Sequence, residues 1–420
     1  MPKIPAPGLV TCVVAAVVFT ALVCPGPAPA SITMEREIGD EFLAQARRQL
    51  PLITDYELNS FISGLGQRLV ATLGTQPFKY EFEVVRDGDL NAFAVPGGKI
   101  FLHAGLVAKA GSEDEVAGVL AHEIAHSHAH HVIRQQKKSA ASSYAALLGL
   151  LLTAVHPAIG QAAAIAAGSG TRLKYQRDFE READFLGLGY ARKAGFEPAA
   201  MLRFLRTVHS EQKLNPTYLP PYLRSHPLTA ERLAYLESSL GQSEWAARPT
   251  PASWPLQRAK AIARAAVETR RQAVPDYERR LAAASAAERA GALELIGLLM
   301  AHGQEWDSAR RYLAEAEGLG REVNRELGRV YLREGRLSEA RPRLERAVAL
   351  RPRDWNALGD LGLLAYEEGR YGEAVQRLEE SLELHAYRPA MRRSLARALD
   401  KDGRSAEGFY HLAWAAEAEG

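Results

Sequence analysis

His122, Glu123, Ile124, Ala125 and His126 run consecutively, a spelling that could place two metal ligands and a general base within one helical turn. With about 3.6 residues per turn, positions i and i+4 lie one above the other, so both imidazoles can reach one zinc ion while Glu123 stands beside them. The implied chemistry is attack of a metal-activated water on a peptide bond. In 420 residues with 12 histidines the pattern also arises by accident roughly a few times in a hundred. The elements around it must therefore carry the reading.

The geometry needs the motif inside a helix. Ser112-Glu113-Asp114-Glu115 reads as a capping box, the Ser112 hydroxyl serving the Glu115 amide and the Glu115 carboxylate reaching back. Val116, Val119, Leu120 and Ile124 carry the helix through the motif to Gln135. His128, His130 and His131 miss the third-ligand spacing of metzincins, which puts Gly where Ala129 stands and His where Val132 stands. They read as a solvated helix face or as outer hydrogen-bonding partners. A third ligand must then come from a later element, and Phe179-Glu180-Arg181-Glu182-Ala183-Asp184 opens a helix ending near Gly195. Glu180 and Asp184 share a face, so one could ligate while the other accepts a ring N–H from a ligating histidine. Taken alone, the hexapeptide would be a solvated first turn with acids near the positive helix end.

A small sheet precedes the motif. Tyr80, Phe82 and Val84 alternate onto one face of a strand, Asp87-Gly88-Asp89 turns the chain, and Asn91 to Val95, Pro96-Gly97-Gly98 and Lys99 to His103 read as strand, turn, strand. Residues 99–103 are a candidate edge strand that could pair with an extended substrate; the competing reading is a hairpin that only covers the core.

These marks, with Ser225-His226-Pro227 followed by Glu231-Arg232, cover residues 35–240 in order and spacing. The chain so resembles the gluzincin peptidases that include the membrane prenyl-protein endopeptidases and the bacterial heat-shock membrane protease, and within them a soluble periplasmic branch. The resemblance implies a zinc metalloendopeptidase with one ion per chain held by His122, His126 and Glu180, Glu123 as general base, and Asp184 as the acid behind a ligating histidine. His226 admits three roles: a fourth zinc donor that keeps the enzyme latent, which the resemblance favours; a donor to the oxyanion, a role Arg232 could share; or a structural His-Pro turn. By resemblance the clients are misassembled outer-membrane proteins. The alternative is mainly a chaperone or assembly factor with latent protease activity. Members of that branch also carry disulfide-forming cysteines.

At the N-terminus, Lys3 precedes an apolar run from Leu9 to Val23 and an Ala28-Pro29-Ala30 cleavage site, so residues 1–30 read as a signal peptide and the mature protein as periplasmic. The run is short for a membrane anchor, which needs about 20 residues, and Val23 fits poorly before a lipidated Cys24. Cys12 and Cys24 both fall in this segment, so the mature chain has no disulfide framework. Removing Lys3 leaves 51 basic against 50 acidic residues, no surplus for nucleic acid. Between the metal helices, the apolar pieces within 141–168 are interrupted by Pro157, Gly160 and Gln161. They read as a buried or interfacial hairpin over the site that could touch the membrane peripherally; the competing reading is a membrane-embedded segment.

Beyond a Pro-rich stretch around Pro249 and Pro255, self-similarity appears with a period of 34: Gly328, Gly362 and Ala396; Gly335, Gly369 and Gly403; Ala340, Ala374 and Gly408; Leu344, Leu378 and Leu412. This is the tetratricopeptide pattern, whose groove would take protein substrates and assembly machinery. Arg and Glu residues across 321–354 read as solvated faces, and Phe409, Tyr410 and Trp414 as capping and packing. The expected fold is mainly α with a small β-sheet (α+β): a zincin metallopeptidase domain over 31–246, a linker and helical connection over 247–285, and an α-helical repeat solenoid over 286–420.

Overall fold

The computed structural model describes residues 32–138, 177–214, 219–240, 252–386 and 388–419. Helices α1 (Ile32–Gln49) and α2 (Tyr56–Val70) come first, and the Asp55 carboxylate caps α2 by accepting from the Glu57 and Leu58 amides. Strands β1 (Glu81–Val85), β2 (Ala92–Val95) and β3 (Lys99–His103) follow. The expected hairpin forms between β2 and β3, with Phe93 opposite Phe101, while β1 runs parallel to β3 with Val84 opposite Leu102. The order β1-β3-β2 makes β3 central. Residues 99–103 therefore cannot accept a substrate strand, because their backbone is paired on both sides; among the described residues the open side on the hairpin belongs to β2. Phe82, Val84 and Leu102 face the core around the metal helix, and Val85, Phe93 and Phe101 pack on α1 residues Ile38 and Phe42.

Helix α3 (Ala104–Lys109) leads to α4 (Glu113–His128), which carries the motif. Ser112 Oγ accepts from the Glu115 amide at 3.2 Å, but the Glu115 carboxylate takes the Gly111 amide at 2.7 Å, so the capping box is half formed. The helix is not continuous to Gln135. It stops at His128, His130 adopts a φ of 55°, and α5 (His131–Lys138) starts afresh. Next come α6 (Arg177–Lys193), α7 (Ala199–Leu214), α8 (Pro221–Ser225) and α9 (Ala230–Ser239). Val116, Leu120 and Ile124 of α4 share one core with Leu58, Ile62, Leu188, Leu202 and Phe204, each such side chain contributing about 1.5–3 kcal/mol by leaving water. Gly187 lets α6 lie directly on α4: a Cβ there would stand 3.2 Å from the His122 amide nitrogen.

Helix α10 (Trp254–Val267) opens the expected connection, yet Leu256, Ala259 and Ile262 pack into that same core. After α11 (Arg270–Ala283), α12 (Ala286–His302) and α13 (Trp306–Gly318) come three helix pairs. They are α14 (Asn324–Arg333) with α15 (Leu337–Leu350), α16 (Trp355–Glu367) with α17 (Tyr371–Leu384), and α18 (Pro389–Lys401) with α19 (Ser405–Glu419). Gly335, Gly369 and Gly403 all take the left-handed conformation, with φ of 73°, 78° and 84°, at the turn inside each pair. Leu344 and Leu378 are fully buried, but Leu412 is exposed, as are Phe409 and Tyr410, which were expected to pack. Their helix is the outermost described layer; Trp414 alone of the three aromatics is partly covered, by the Arg392 guanidinium 4.0 Å above its ring.

The first pair is not solvated on its inner side. Glu57 of α2 meets Arg258 at 2.6 Å and Arg325 and Arg351 at 3.1 Å, and Glu326 meets Arg258 at 2.6 Å and Arg325 at 3.0 Å. Arg325, Glu326 and Asp354, expected on a solvated face, are buried. Trp355 Nε1 donates to the Thr54 carbonyl and Asn356 Nδ2 to Asp55, each at 3.2 Å, so the start of α16 is docked on the N-terminal domain. Among the described residues no helix is long and apolar enough to cross a membrane. The signal segment 1–30 and the whole of 141–168 lie outside the described residues.

Candidate metal centre

His122 and His126 are fully buried on α4, their Nε2 atoms 3.0 Å apart. Glu180, in the first turn of α6, brings Oε1 to 3.3 Å from His126 Nε2 and Oε2 to 3.6 Å from His122 Nε2. His226 follows α8, its amide bonded to the Tyr222 carbonyl at 2.8 Å. Its Nδ1 lies 3.0 Å from Glu180 Oε1 and 3.3 Å from His122 Nε2. The donor atoms of these four residues all fall within 4.8 Å of one another.

A metal fits this arrangement on two grounds. Zinc holds N and O donors at about 2.0–2.1 Å in a tetrahedron, whose edges are then about 3.4 Å; the donor separations above bracket that value. The second ground is the proton inventory. His122 Nδ1 faces Asp184 Oδ1 at 3.0 Å, a contact that places a ring proton on that nitrogen, and His126 Nδ1 faces His131 Nδ1 at 2.9 Å, where one of the two nitrogens must carry the proton. With a cation bound, both Nε2 atoms, 3.0 Å apart, can then turn lone pairs inward beside the Glu180 carboxylate while their Nδ1 sides keep their own partners.

The electrostatics follow from the same contacts. Burial opposes charge on His122, but Asp184 and Glu180 outweigh it and push its pKa up to about 9. On His126 burial dominates and drives the pKa well below its ordinary value. Burial works against ionised Glu180 too, yet the His226 and Arg232 charges hold its carboxyl well below the usual range. Asp184 is depressed chiefly by Arg232, again against burial. Arg232 grips Asp184 with Nε and Nη2, both at 2.8 Å, and Glu180 with Nη1 at 2.6 Å. Glu123 is the exception, because burial pushes its pKa up and neither carboxylate oxygen has a hydrogen-bond partner among the described residues. His226 Nε2 is 3.6 Å from Glu123 Oε1.

All six residues singled out in the sequence, His122, Glu123, His126, Glu180, Asp184 and His226, meet at this one place. Arg232, read from the sequence as a second oxyanion donor, here bonds Asp184 through Nε and Nη2 and Glu180 through Nη1. Sequence reasoning missed that anchoring role and the contact of His131 with His126; a charge in the first turn of a helix after a Pro-rich loop carries no sign of which acids it will meet. Of the outer histidines, His128 bonds the Tyr190 hydroxyl at 2.6 Å and His130 the Glu35 carboxylate at 2.6 Å.

Residues 58–240 match the family described as Peptidase family M48, and residues 325–389 match Tetratricopeptide repeat. A putative β-barrel assembly-enhancing protease of Vibrio cholerae is 38% identical over 215 residues, 49% of this chain and 44% of that protein. The β-barrel assembly-enhancing protease of Escherichia coli is 34% identical over 211 residues, 49% of this chain and 43% of that protein. The mitochondrial metalloendopeptidase OMA1 of Schizosaccharomyces pombe is 31% identical over 185 residues, 44% of this chain and 53% of that protein. The match thus spans about half the length of each of these relatives or less.

Proposed function

From a chain whose residues 58–240 belong to peptidase family M48, with tetratricopeptide repeats behind them, we propose a zinc-dependent endopeptidase of protein clients. The convergence of the His122 and His126 Nε2 atoms on the Glu180 carboxylate, with a Glu123 carboxylate beside them that makes no hydrogen bond among the described residues, carries the proposal. His122, His126 and Glu180 would hold the zinc, which when bound acidifies water and polarises the scissile carbonyl. Glu123 accepts a proton at its carboxylate and returns it to the leaving amine, and a pKa raised by burial suits it to both halves of that task. Asp184 fixes the His122 ring and Arg232 fixes Asp184, so the donors stay aimed when the site is hydrated by substrate entry. Casein cleavage by the chain lacking residues 1–30 tests the reading: activity must vanish with chelator and return with zinc. Glu123→Gln should cut the rate by about 10²–10⁴-fold while zinc content is retained; a Gln variant as active as the parent would sink Glu123 as base.

The place of His226 Nδ1 within the donor set supports a latent resting state, in which this imidazole takes the fourth donor position. His226→Ala should then raise proteolysis. A loss of proteolysis would instead make His226 a transition-state donor, and no change would remove both roles.

The same reading places the protein in the periplasm after cleavage of residues 1–30, with the repeats recruiting clients in outer-membrane protein assembly. The names of the bacterial relatives and the repeat match support it. The alternative, a chaperone with rare proteolysis, is favoured by the latent donor set. Glu123→Gln and a truncation after Leu384 separate the two in a cell assay: full rescue by the Gln variant makes catalysis dispensable. Release of the mature protein by osmotic shock without detergent tests its place in the cell.

A further inference from the structure

His131 stands five residues after His126, a spacing that on a continuous helix would turn it well away from the His126 face. The break between α4 and α5 changes this. His130 takes a φ of 55° with its ring held by Glu35 at 2.6 Å, and the chain swings His131 back beneath His126. His131 is fully buried, its Nδ1 2.9 Å from His126 Nδ1, its ring stacked on Phe179 at 4.6 Å and 14°. On its far side Nε2 is 3.2 Å from Glu182 Oε2, and Glu182 accepts from Arg134 at 2.9 and 3.0 Å. Phe179 and Glu182 both belong to α6, the helix that supplies Glu180 and Asp184.

We propose that His131 and Glu182 form an outer arm that fixes the tautomer and orientation of His126, so that a half-exposed carboxylate sets how tightly the site holds its metal. For His126 Nε2 to present a lone pair, its proton must sit on Nδ1, and that N–H needs an acceptor. His131 Nδ1 is the acceptor at 2.9 Å, which leaves the His131 proton on Nε2, facing Glu182. The carboxylate therefore orders the protons of two rings in series. His122 is held differently, by the buried Asp184 directly. One metal histidine is thus anchored to the interior and the other to the surface, and α6 orients both. His131 is a positioning residue, since the group it would act on is His126.

This rests on the zinc reading of the site. The test is zinc affinity, measured by competition with a chromophoric chelator, together with the absorption spectrum of the cobalt-substituted protein. His131→Phe keeps the stack on Phe179 but removes the acceptor, and should weaken zinc about 10–100-fold, while His131→Asn, whose amide oxygen can stand near the Nδ1 position, should recover part of that loss. Glu182→Ala changes a half-exposed residue and should weaken zinc several-fold without lowering the unfolding midpoint of the metal-free protein. It also keeps the test open should His131→Phe fail to fold. Affinities within twofold of the parent for both His131→Phe and Glu182→Ala would overturn the arm. So would equal losses in His131→Phe and His131→Asn with an unchanged cobalt spectrum, the result of a packing role alone. A parent chain that binds no zinc would instead overturn the site.

Discussion

Arg232 bridges Glu180 and Asp184 of α6, and its removal separates stability from chemistry. Its guanidinium satisfies Asp184 with two bonds and reaches Glu180 with a third, all in the dry interior. Arg232→Met would leave two buried carboxylates without that compensation, a change that costs about 3–5 kcal/mol where one partner of a buried pair is deleted. Unfolding of the metal-free protein should show that loss, and Arg232→Lys should recover only part of it because an ammonium cannot make the paired contact. A Met variant as stable as the parent would show that the acids are not held ionised by this residue. Much of this scale was legible in the sequence: the ligand types and the i, i+4 spacing of His122 with His126 and of Glu180 with Asp184 follow from helix geometry. The partner of Asp184 did not follow, because Arg232 lies 48 residues away on α9 and only the fold brings it in.

At the level of elements, the distance between α4 and α6 sets the donor geometry, and Gly187 sets that distance. A Cβ there would stand 3.2 Å from the His122 amide nitrogen and 3.3 Å from the Ala121 carbonyl oxygen. Gly187→Ala asks α6 to withdraw by a few tenths of an ångström, and Gly187→Val asks for more. Overpacking of this kind costs about 1–3 kcal/mol, and here it would also pull Glu180 and Asp184 away from the two histidines. The Val variant should therefore lose zinc affinity along with stability, whereas Gly189→Ala, with open space at its Cβ, should lose neither. Equal zinc binding by the Val variant and the parent would mean that α6 is not positioned by this contact. The helices and the hairpin were readable because their signals are local: alternation in β2 and β3, a serine before α4. The central place of β3 was not, since strand order is decided by which faces the helices cover. The break after His128 was hidden as well, because a non-glycine residue with positive φ is held there by Glu35, 95 residues earlier.

For the whole molecule, the lattice around Glu57, Arg258, Arg325 and Glu326 ties the N-terminal domain to the repeats. The sequence showed only alternating Arg and Glu, which on most helices is a solvated pattern; it became buried because α2 brings its acids into the first repeat pair. A small cavity beside the lattice is lined by His302, Arg325, Arg329 and Asp360. Burial, with Arg329 and Arg325 adding to it and Asp55 and Glu57 opposing it, lowers the His302 pKa from 6.5 to about 4. Above pH 6.5 the ring is neutral whether the chain is folded or not, and His302 has no effect on stability. Between 6.5 and 4 the unfolded chain binds a proton that the folded one refuses, so stability falls as the pH drops through this window, by up to about 1.4 kcal/mol per unit, and levels off below it. Other groups titrate in the same range, so the informative quantity is a difference. His302→Gln removes the protonation but keeps a polar side chain in the cavity, and its unfolding free energy should fall less steeply than the parent's from pH 6.5 to 4.5. Parallel curves for the two proteins would show that the ring takes up its proton in the folded state and that the junction is open to water; a shallower curve for the variant would assign that share of the acid sensitivity to His302, buried beside the repeats.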